Sequence, residues 1–377
     1  MKAETFQFDI ITPCFCAGVE PEKQAEIRAP SIRGQLRWWF RALGGFKSLA
    51  DRGMGMREQE NLIFGTVAGR EGRAGRLIVR VSGISPSTEV VDDIAMNARP
   101  GSERGFLLFP LRAEKVGTPQ ERRRDRGVFN KGAVAGASTP SFSIHVVWRG
   151  EPDVFPELRG LIAVFGHLGA LGFRSRRAMG ALAIKSPTLL LADAMKRFHT
   201  PGAITIRRLA ANGPSDAISV LANWLRSWRS HGRTGNNATE RSTPGYSYAK
   251  QDHDMAASRA PGPAFRPALG LPIISKYGEW NESFDEAKAL RNPRYRGEGR
   301  FASPILLRPH RDAAGNWHAL VIFVDAHKWP NDPATGQPKQ VFLNGQPRSV
   351  SLDLYEAMKE SNDTLPNGQP GLLRPFP

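Results

Sequence analysis

Six apolar runs in the first 190 residues of this 377-residue chain switch between a period of two and a period near 3.6, and their order constrains the fold more than any single motif. Phe6, Phe8 and Ile10 alternate and stop at Thr12-Pro13, which predicts a strand. Ile32, Leu36, Trp39, Phe40 and Leu43 recur at helical spacing, so a helix is expected over Ser31–Leu43, with Ser31 as N-cap and Gly44-Gly45 as stop. Leu77, Val79 and Val81, then Phe142, Ile144, Val146 and Trp148, alternate as two further strands. Asp153 and Pro156 start a second helix carried by Phe155, Leu158, Leu161, Ile162, Phe165 and Leu168, and Ala181 to Ile184 is a last short apolar run. Strand, helix, strand, strand, helix, strand is the order of a ferredoxin-like sheet, the architecture of RNA-recognition modules.

The segment from Ile84 to Pro140, rich in Pro, Gly and Arg, reads as a mobile insertion between the second and third strands. Beyond residue 190 a helix is expected around Ala217 to Trp228, strands at Ser303 to Arg308 and Trp317 to Val324, and a helix near Leu352 to Lys359. A stretch rich in Gly, Ser, Asn and Pro, His231 to Pro267, is expected to be flexible. The fold class is therefore α+β, with tandem ferredoxin-like (RRM-like) domains at 1–190 and 191–377, the second degraded and loop-rich.

Charge narrows the partner. The chain has 52 Lys and Arg against 36 Asp and Glu, a formal charge of +16, and all of the excess lies before Asp312, where 47 basic residues face 29 acidic ones. Such a surface seeks a polyanion. No run reaches the roughly 18 apolar residues of a membrane helix, and Glu4 and Asp9 stand where a signal peptide would be apolar, so a soluble cytoplasmic protein with no membrane partner is expected. Cys14 and Cys16, too close in sequence for an easy disulfide and too few for a zinc site, read as buried inert thiols.

Two basic elements carry the binding expectation. Arg33, Arg37 and Arg41 fall at i, i+4 and i+8 on the first helix, and no acid occurs between Glu26 and Asp51. The run Gly166 to Gly180 places Gly169 and Gly172 before Arg174, Ser175, Arg176 and Arg177, again without an acid from Leu158 to Ala192. Glycines let backbone N–H groups approach an anion, and guanidinium groups fork onto phosphate oxygens. With Arg28, these residues form the expected RNA-binding patch, and replacing either arginine triplet by Ala is expected to spare the fold. The pattern lacks the P-loop and dinucleotide fingerprints, so no cofactor or metal is expected. No catalytic residue is assigned. Asp252-His253-Asp254 is either a solvated loop cluster or an acid–base or metal pair, and those readings stay open.

The block Glu26-Ile27-Arg28-Ala29-Pro30-Ser31-Ile32-Arg33-Gly34-Gln35-Leu36-Arg37-Trp38-Trp39-Phe40-Arg41, preceded by Ile11-Thr12-Pro13, resembles the RAMP superfamily of CRISPR proteins, and within it the first subunits of type III-B, or Cmr, effector complexes. Glu60 with Ile63-Phe64-Gly65, the glycine–arginine loop and Ser303-Pro304-Ile305-Leu306-Leu307-Arg308-Pro309-His310 support the resemblance. The family's loop has a further glycine directly after the arginine pair, where this chain has Ala178-Met179 before Gly180. The resemblance implies tandem ferredoxin-like domains and a non-catalytic RNA-binding and assembly subunit acting in antiviral defence. Its implied partners are CRISPR guide RNA, held at its 3′ end, target RNA and the other Cmr subunits. The alternative is a RAMP endoribonuclease processing CRISPR transcripts by metal-independent acid–base cleavage, which would rest on His167, His199 or His253.

Overall fold

The computed structural model describes residues 1–16, 25–67, 72–83, 105, 107–108, 128–129, 140–229, 243–258, 261–270, 301–343, 346–361 and 374–375. The first half contains β1 (Lys2–Ile10), α1 (Ala29–Ala42), α2 (Met56–Phe64), β2 (Leu77–Ser82), β3 (Ser141–Trp148), α3 (Phe155–Leu168) and β4 (Leu182–Ser186). The second contains β5 (Ile204–Ala211), α4 (Pro214–Arg229), α5 (Tyr246–Ser258), β6 (Ile305–Arg311), β7 (Trp317–Val324), α6 (Asp353–Glu360) and β8 (Arg374–Pro375). Helix and sheet are mixed throughout, as an α+β chain requires.

The strands of the first sheet lie in the order β2-β3-β1-β4 and those of the second in the order β6-β7-β5-β8, every neighbouring pair antiparallel. Phe6 pairs with Ile144 and Phe8 with Phe142 across β1 and β3, so the alternating apolar positions of both strands fall on one buried face. Phe8 stacks on Phe142 with ring centroids 5.4 Å apart and meets Phe165 of α3 at 5.9 Å. Each such ring contributes about 1.5–3 kcal/mol by leaving water. Helix α1 buries Ile32, Leu36, Trp39 and Phe40, the stripe its periodicity predicts.

Its start differs from the expectation. Arg28 is the N-cap, in extended conformation, and Pro30 lies within the first turn, so the expected cap Ser31 is already helical and exposed. Proline fits there because the first N–H groups of a helix have no intrahelical acceptor to lose. The stretch expected to be flexible also differs in part: Tyr246–Ser258 is helix α5, and residues 266–269 form a 3₁₀ turn. Asp252 holds these two together, accepting from the Phe265 and Arg266 backbone N–H groups and from Arg266 Nε, all at 2.9 Å. The helix buries Ala249 and Met255 on either side of Asp252, a face too sparse in apolar residues to mark it in the sequence. Residues 231–242 and most of the 84–140 insertion lie outside the described residues.

The two halves share one core. Leu306, Leu320, Ile322 and Val324 of the second sheet join Phe6, Phe8, Phe165 and Leu182 in a single apolar cluster. Arg308 of β6 crosses between the halves. Its guanidinium donates to the carbonyls of Gly166 (2.9 Å), His167 (2.7 Å), Gly169 (3.1 Å) and Leu182 (2.5 Å), and the residue is 1% exposed. Three of these carbonyls lie in or just past the last turn of α3, where the helix dipole is negative and carbonyls lack intrahelical donors. Burial lowers the Arg308 pKa to about 9, still high enough to keep the charge at neutral pH. Beside it, Arg311 Nη2 lies 2.7 Å from Asp9 of β1, which also accepts from Ser141. Arg308→Met is expected to cost about 3–5 kcal/mol, since it strips donors from four buried carbonyls, and urea unfolding of the purified variant measures it.

Candidate nucleic-acid interface

The expected helix arginines do not stand free. Glu60 of α2, 7% exposed, receives both Arg37 and Arg41, the latter through Nε at 2.7 Å, and Arg33 donates to the Phe64 carbonyl at the end of α2. The acid absent from the neighbouring sequence thus arrives from another helix. Burial alone would raise the Glu60 pKa, but hydrogen bonds from Arg41 and Arg37, reinforced by their charges, hold it below the ordinary value. One carboxylate cannot neutralise two guanidiniums, and Arg37 and Arg41 keep 36% and 51% of their side-chain surface exposed. Arg28, at the helix start, is exposed.

The glycine–arginine loop is built by close backbone approach. At Gly172 (φ +79°) a Cβ would fall 2.6 Å from the Phe15 carbonyl oxygen, and at Gly180 (φ +65°) on the Leu171 carbonyl. Ala178 takes the same left-handed backbone at φ +68°, a conformation that favours glycine. Backbone N–H groups expected to face an anion are largely committed within the protein: Gly169 to Phe165, Leu171 to Gly180, Phe173 to Phe15, Ala178 to Leu307 and Gly180 to Pro13. The loop's glycines therefore shape its path.

Its arginines point inward as well. Arg174 donates to the Leu107 carbonyl through Nε at 2.7 Å, Arg176 to Ser303 at 2.5 Å, and Arg177 to Ile305 at 3.1 Å. Burial lowers the Arg174 pKa to about 10 and pushes Arg176 down, while burial and the charges of Arg229, Arg174 and Arg176 depress Arg177. Arg176 and Arg177 fasten the loop to the 303–305 segment, so Ala at all three positions is expected to cost stability, where the sequence alone predicts that the fold is spared. Ser175 is partly exposed, with no side-chain partner among the described residues.

Loop and helix do meet, through different residues than the arginine row. Arg176 lies over the Trp38 ring, 5.0 Å from its centroid, and His327 from the second half stacks on the same ring at 4.9 Å and 10°. Burial and the charges of Arg176 and Arg41 push the His327 imidazole down. Gly34, Gln35 and Trp38 face the loop because each residue turns α1 by about 100°, which carries Arg33, Arg37 and Arg41 round toward α2. A cleft of about 160 Å³ opens where α1, the loop and β6 converge. Sequence reasoning missed Gln35, His327 and Arg229; only the Trp-Trp pair beside the arginines marks the place in the sequence.

The candidate acid–base groups do not converge. His167, at the end of α3, holds the Leu189 carbonyl at 2.6 Å and is pushed down by burial. His199 is an exposed loop residue and His253 lies on α5. Asp252 is the buried anchor described above, and Asp254 pairs with Lys250 on the exposed side of the same helix. Cys14 and Cys16 are buried and unoxidised with sulfurs 3.1 Å apart, the Cys14 thiol raised by its hydrogen bond to Cys16 and by burial. Among the described residues no group of three or more His, Cys, Asp or Glu side chains is placed to hold a metal ion, and no helix is long and apolar enough to cross a membrane.

The Glu60 pairing makes a pH prediction. A carboxyl whose native pKa is depressed stabilises the fold above its unfolded value, about 4.3, and loses that contribution as pH falls through the native value. Glu60→Gln is expected to be less stable than the parent at pH 7, with the gap closing below about pH 4. Parallel urea titrations at several pH values measure both.

Residues 7–183 match the model of the RAMP superfamily. The CRISPR system Cmr subunit Cmr1-1 of Pyrococcus furiosus is 26% identical over 187 residues, covering 49% of this chain and 48% of that protein, so the chain spans about half the length of the curated relative it matches. Among solved structures, the apo crystal structure of Cmr1 from Pyrococcus furiosus aligns with a TM-score of 0.48 and 18% identity over 86% of this chain and 88% of its own. The cryo-EM structure of the type III-B Cmr-beta complex bound to cognate target RNA contains a chain that aligns with a TM-score of 0.48 and 10% identity, over 94% and 98%. Residues 7–183 are thus similar to the RAMP superfamily, and about half of the chain is similar to a CRISPR system Cmr subunit.

Proposed function

We propose that this chain is a non-catalytic RNA-binding and assembly subunit of a type III-B CRISPR effector complex, acting in the cytoplasm in antiviral defence and engaging the guide 3′ end, target RNA or both. The observation that carries this reading is the RAMP match over 7–183, which includes both basic elements that meet at the Trp38 seam. Two ferredoxin-like domains dividing near residue 190 fit it: each sheet sets its strands in the order second, third, first, fourth along its own half of the chain. The likeness to Cmr1-1 favours other Cmr subunits as partners.

The contact surface is read as Arg28, Arg37, Arg41, Ser175 and Arg176, with Arg33, Gly169, Gly172, Arg174 and Arg177 shaping and holding it. An RNA strand laid there would gain phosphate contacts from guanidiniums that Glu60 only half neutralises. The endoribonuclease alternative has less support, since His167, His199 and His253 lie on separate elements.

With about three phosphates neutralised on a single strand, the logarithm of affinity should fall with the logarithm of salt at a slope near −2, a loss on the order of tenfold between 50 and 200 mM. Fluorescence anisotropy with a labelled single-stranded RNA measures the slope. Affinity independent of salt would refute the reading, as would chelator-insensitive cleavage of a repeat-containing RNA by the pure protein.

A further inference from the structure

The cleft at the seam presents an unusual set of groups. Trp39 forms part of its wall, is 1% exposed, and its indole N–H has no acceptor among the described residues. That N–H is sealed from solvent, so Trp39 lends its ring to the wall and lies close enough to report on what occupies the cleft. The other polar groups of the wall are Gln35, Ser175 and Arg176, and no described lining residue is acidic. Arg176 commits one nitrogen to Ser303, which leaves further N–H donors. Donors and a positive charge without a carboxylate select an anion.

Size and shape decide which one. At about 160 Å³ the cleft is smaller than the roughly 300–1,000 Å³ of sites that enclose whole small molecules. A nucleobase would need an aromatic face to stack on. The partly exposed Trp38 ring already has Arg176 over it at 5.0 Å and His327 stacked at 4.9 Å. A tetrahedral oxyanion needs only convergent donors. The rim is open to a passing chain, since a Cβ built on Gly34 would meet nothing within 4 Å.

We infer that this cleft is a subsite for one phosphodiester group of a single-stranded RNA, with Gln35, Ser175 and Arg176 donating to its oxygens, an inference that rests on the RNA-binding reading and assigns it a point of contact. Contact through a phosphate makes this subsite indifferent to sequence.

The test uses the full chain labelled with ¹⁵N at tryptophan, the Trp39 indole resonance being assigned by its loss in Trp39→Phe. Pentauridylate should shift that resonance, millimolar inorganic phosphate should shift it less, and uridine should leave it in place. Gly34→Glu sets a carboxylate at the rim, where its Cβ meets nothing within 4 Å, and should weaken pentauridylate binding about tenfold and abolish the shift. Ser175→Ala, a milder change, should weaken it about threefold. Pentauridylate that binds while the Trp39 resonance stays fixed and Gly34→Glu retains full affinity overturns the inference and leaves RNA binding standing. A shift produced equally by uridine marks a base site, and one produced by phosphate but not pentauridylate marks a free-anion site; either overturns it. Failure of pentauridylate to bind at all rejects the RNA-binding reading itself.

Discussion

The hydrogen bonds of Arg308 set the relation between the two halves. A guanidinium that is almost wholly removed from water is costly unless every donor has an acceptor. The end of α3 supplies unpaired carbonyls in the geometry required, with β4 adding one more. The ion occupies the negative end of a helix dipole with no carboxylate partner among the described residues, and the helix gains a cap from a residue about 140 positions away. The position of β6 follows, and from it the 303–305 segment onto which Arg176 and Arg177 fasten the loop.

The interface inherits its character from that arrangement. Seam arginines satisfy backbone carbonyls, while Arg37 and Arg41 of α1 share a single carboxylate and retain substantial exposed charge. Trp38 links the two sets, with a cation from the loop over its ring and an imidazole from the second half stacked on it. The chemistry available is therefore electrostatic and hydrogen-bonding; the three candidate histidines are scattered over the fold.

Much of the scaffold was legible in the sequence, and the reasons for the misses are local. Alternation in β1 and β3 and the stripes on α1 and α3 marked those elements because each buries one face on a common core. Strand β5 escaped notice because Arg207 and Arg208 interrupt its apolar run, and α5 because its buried face, with Ala249 and Met255 on either side of Asp252, is sparse in apolar residues. Helix α2 was overlooked because it buries Gln59 and Glu60 as well as Ile63 and Phe64. Both basic elements were visible as charge without acid nearby, but the direction of their donors was not. A carbonyl acceptor leaves no trace in sequence, and Glu60 lies 19 residues from Arg41.

The apolar cluster that runs through both sheets has a consequence for how the protein loses its structure. Leu306, Leu320, Ile322 and Val324 belong to the buried cluster that also holds Phe165 and Leu182, so parting the two sheets would expose apolar side chains on both. Two halves joined only by a linker would melt one after the other, each at its own temperature. Here one buried cluster spans both sheets, so the chain should lose both together in one cooperative transition. A fragment ending near residue 190 would present an apolar wall to water, which makes it prone to associate with other copies of itself.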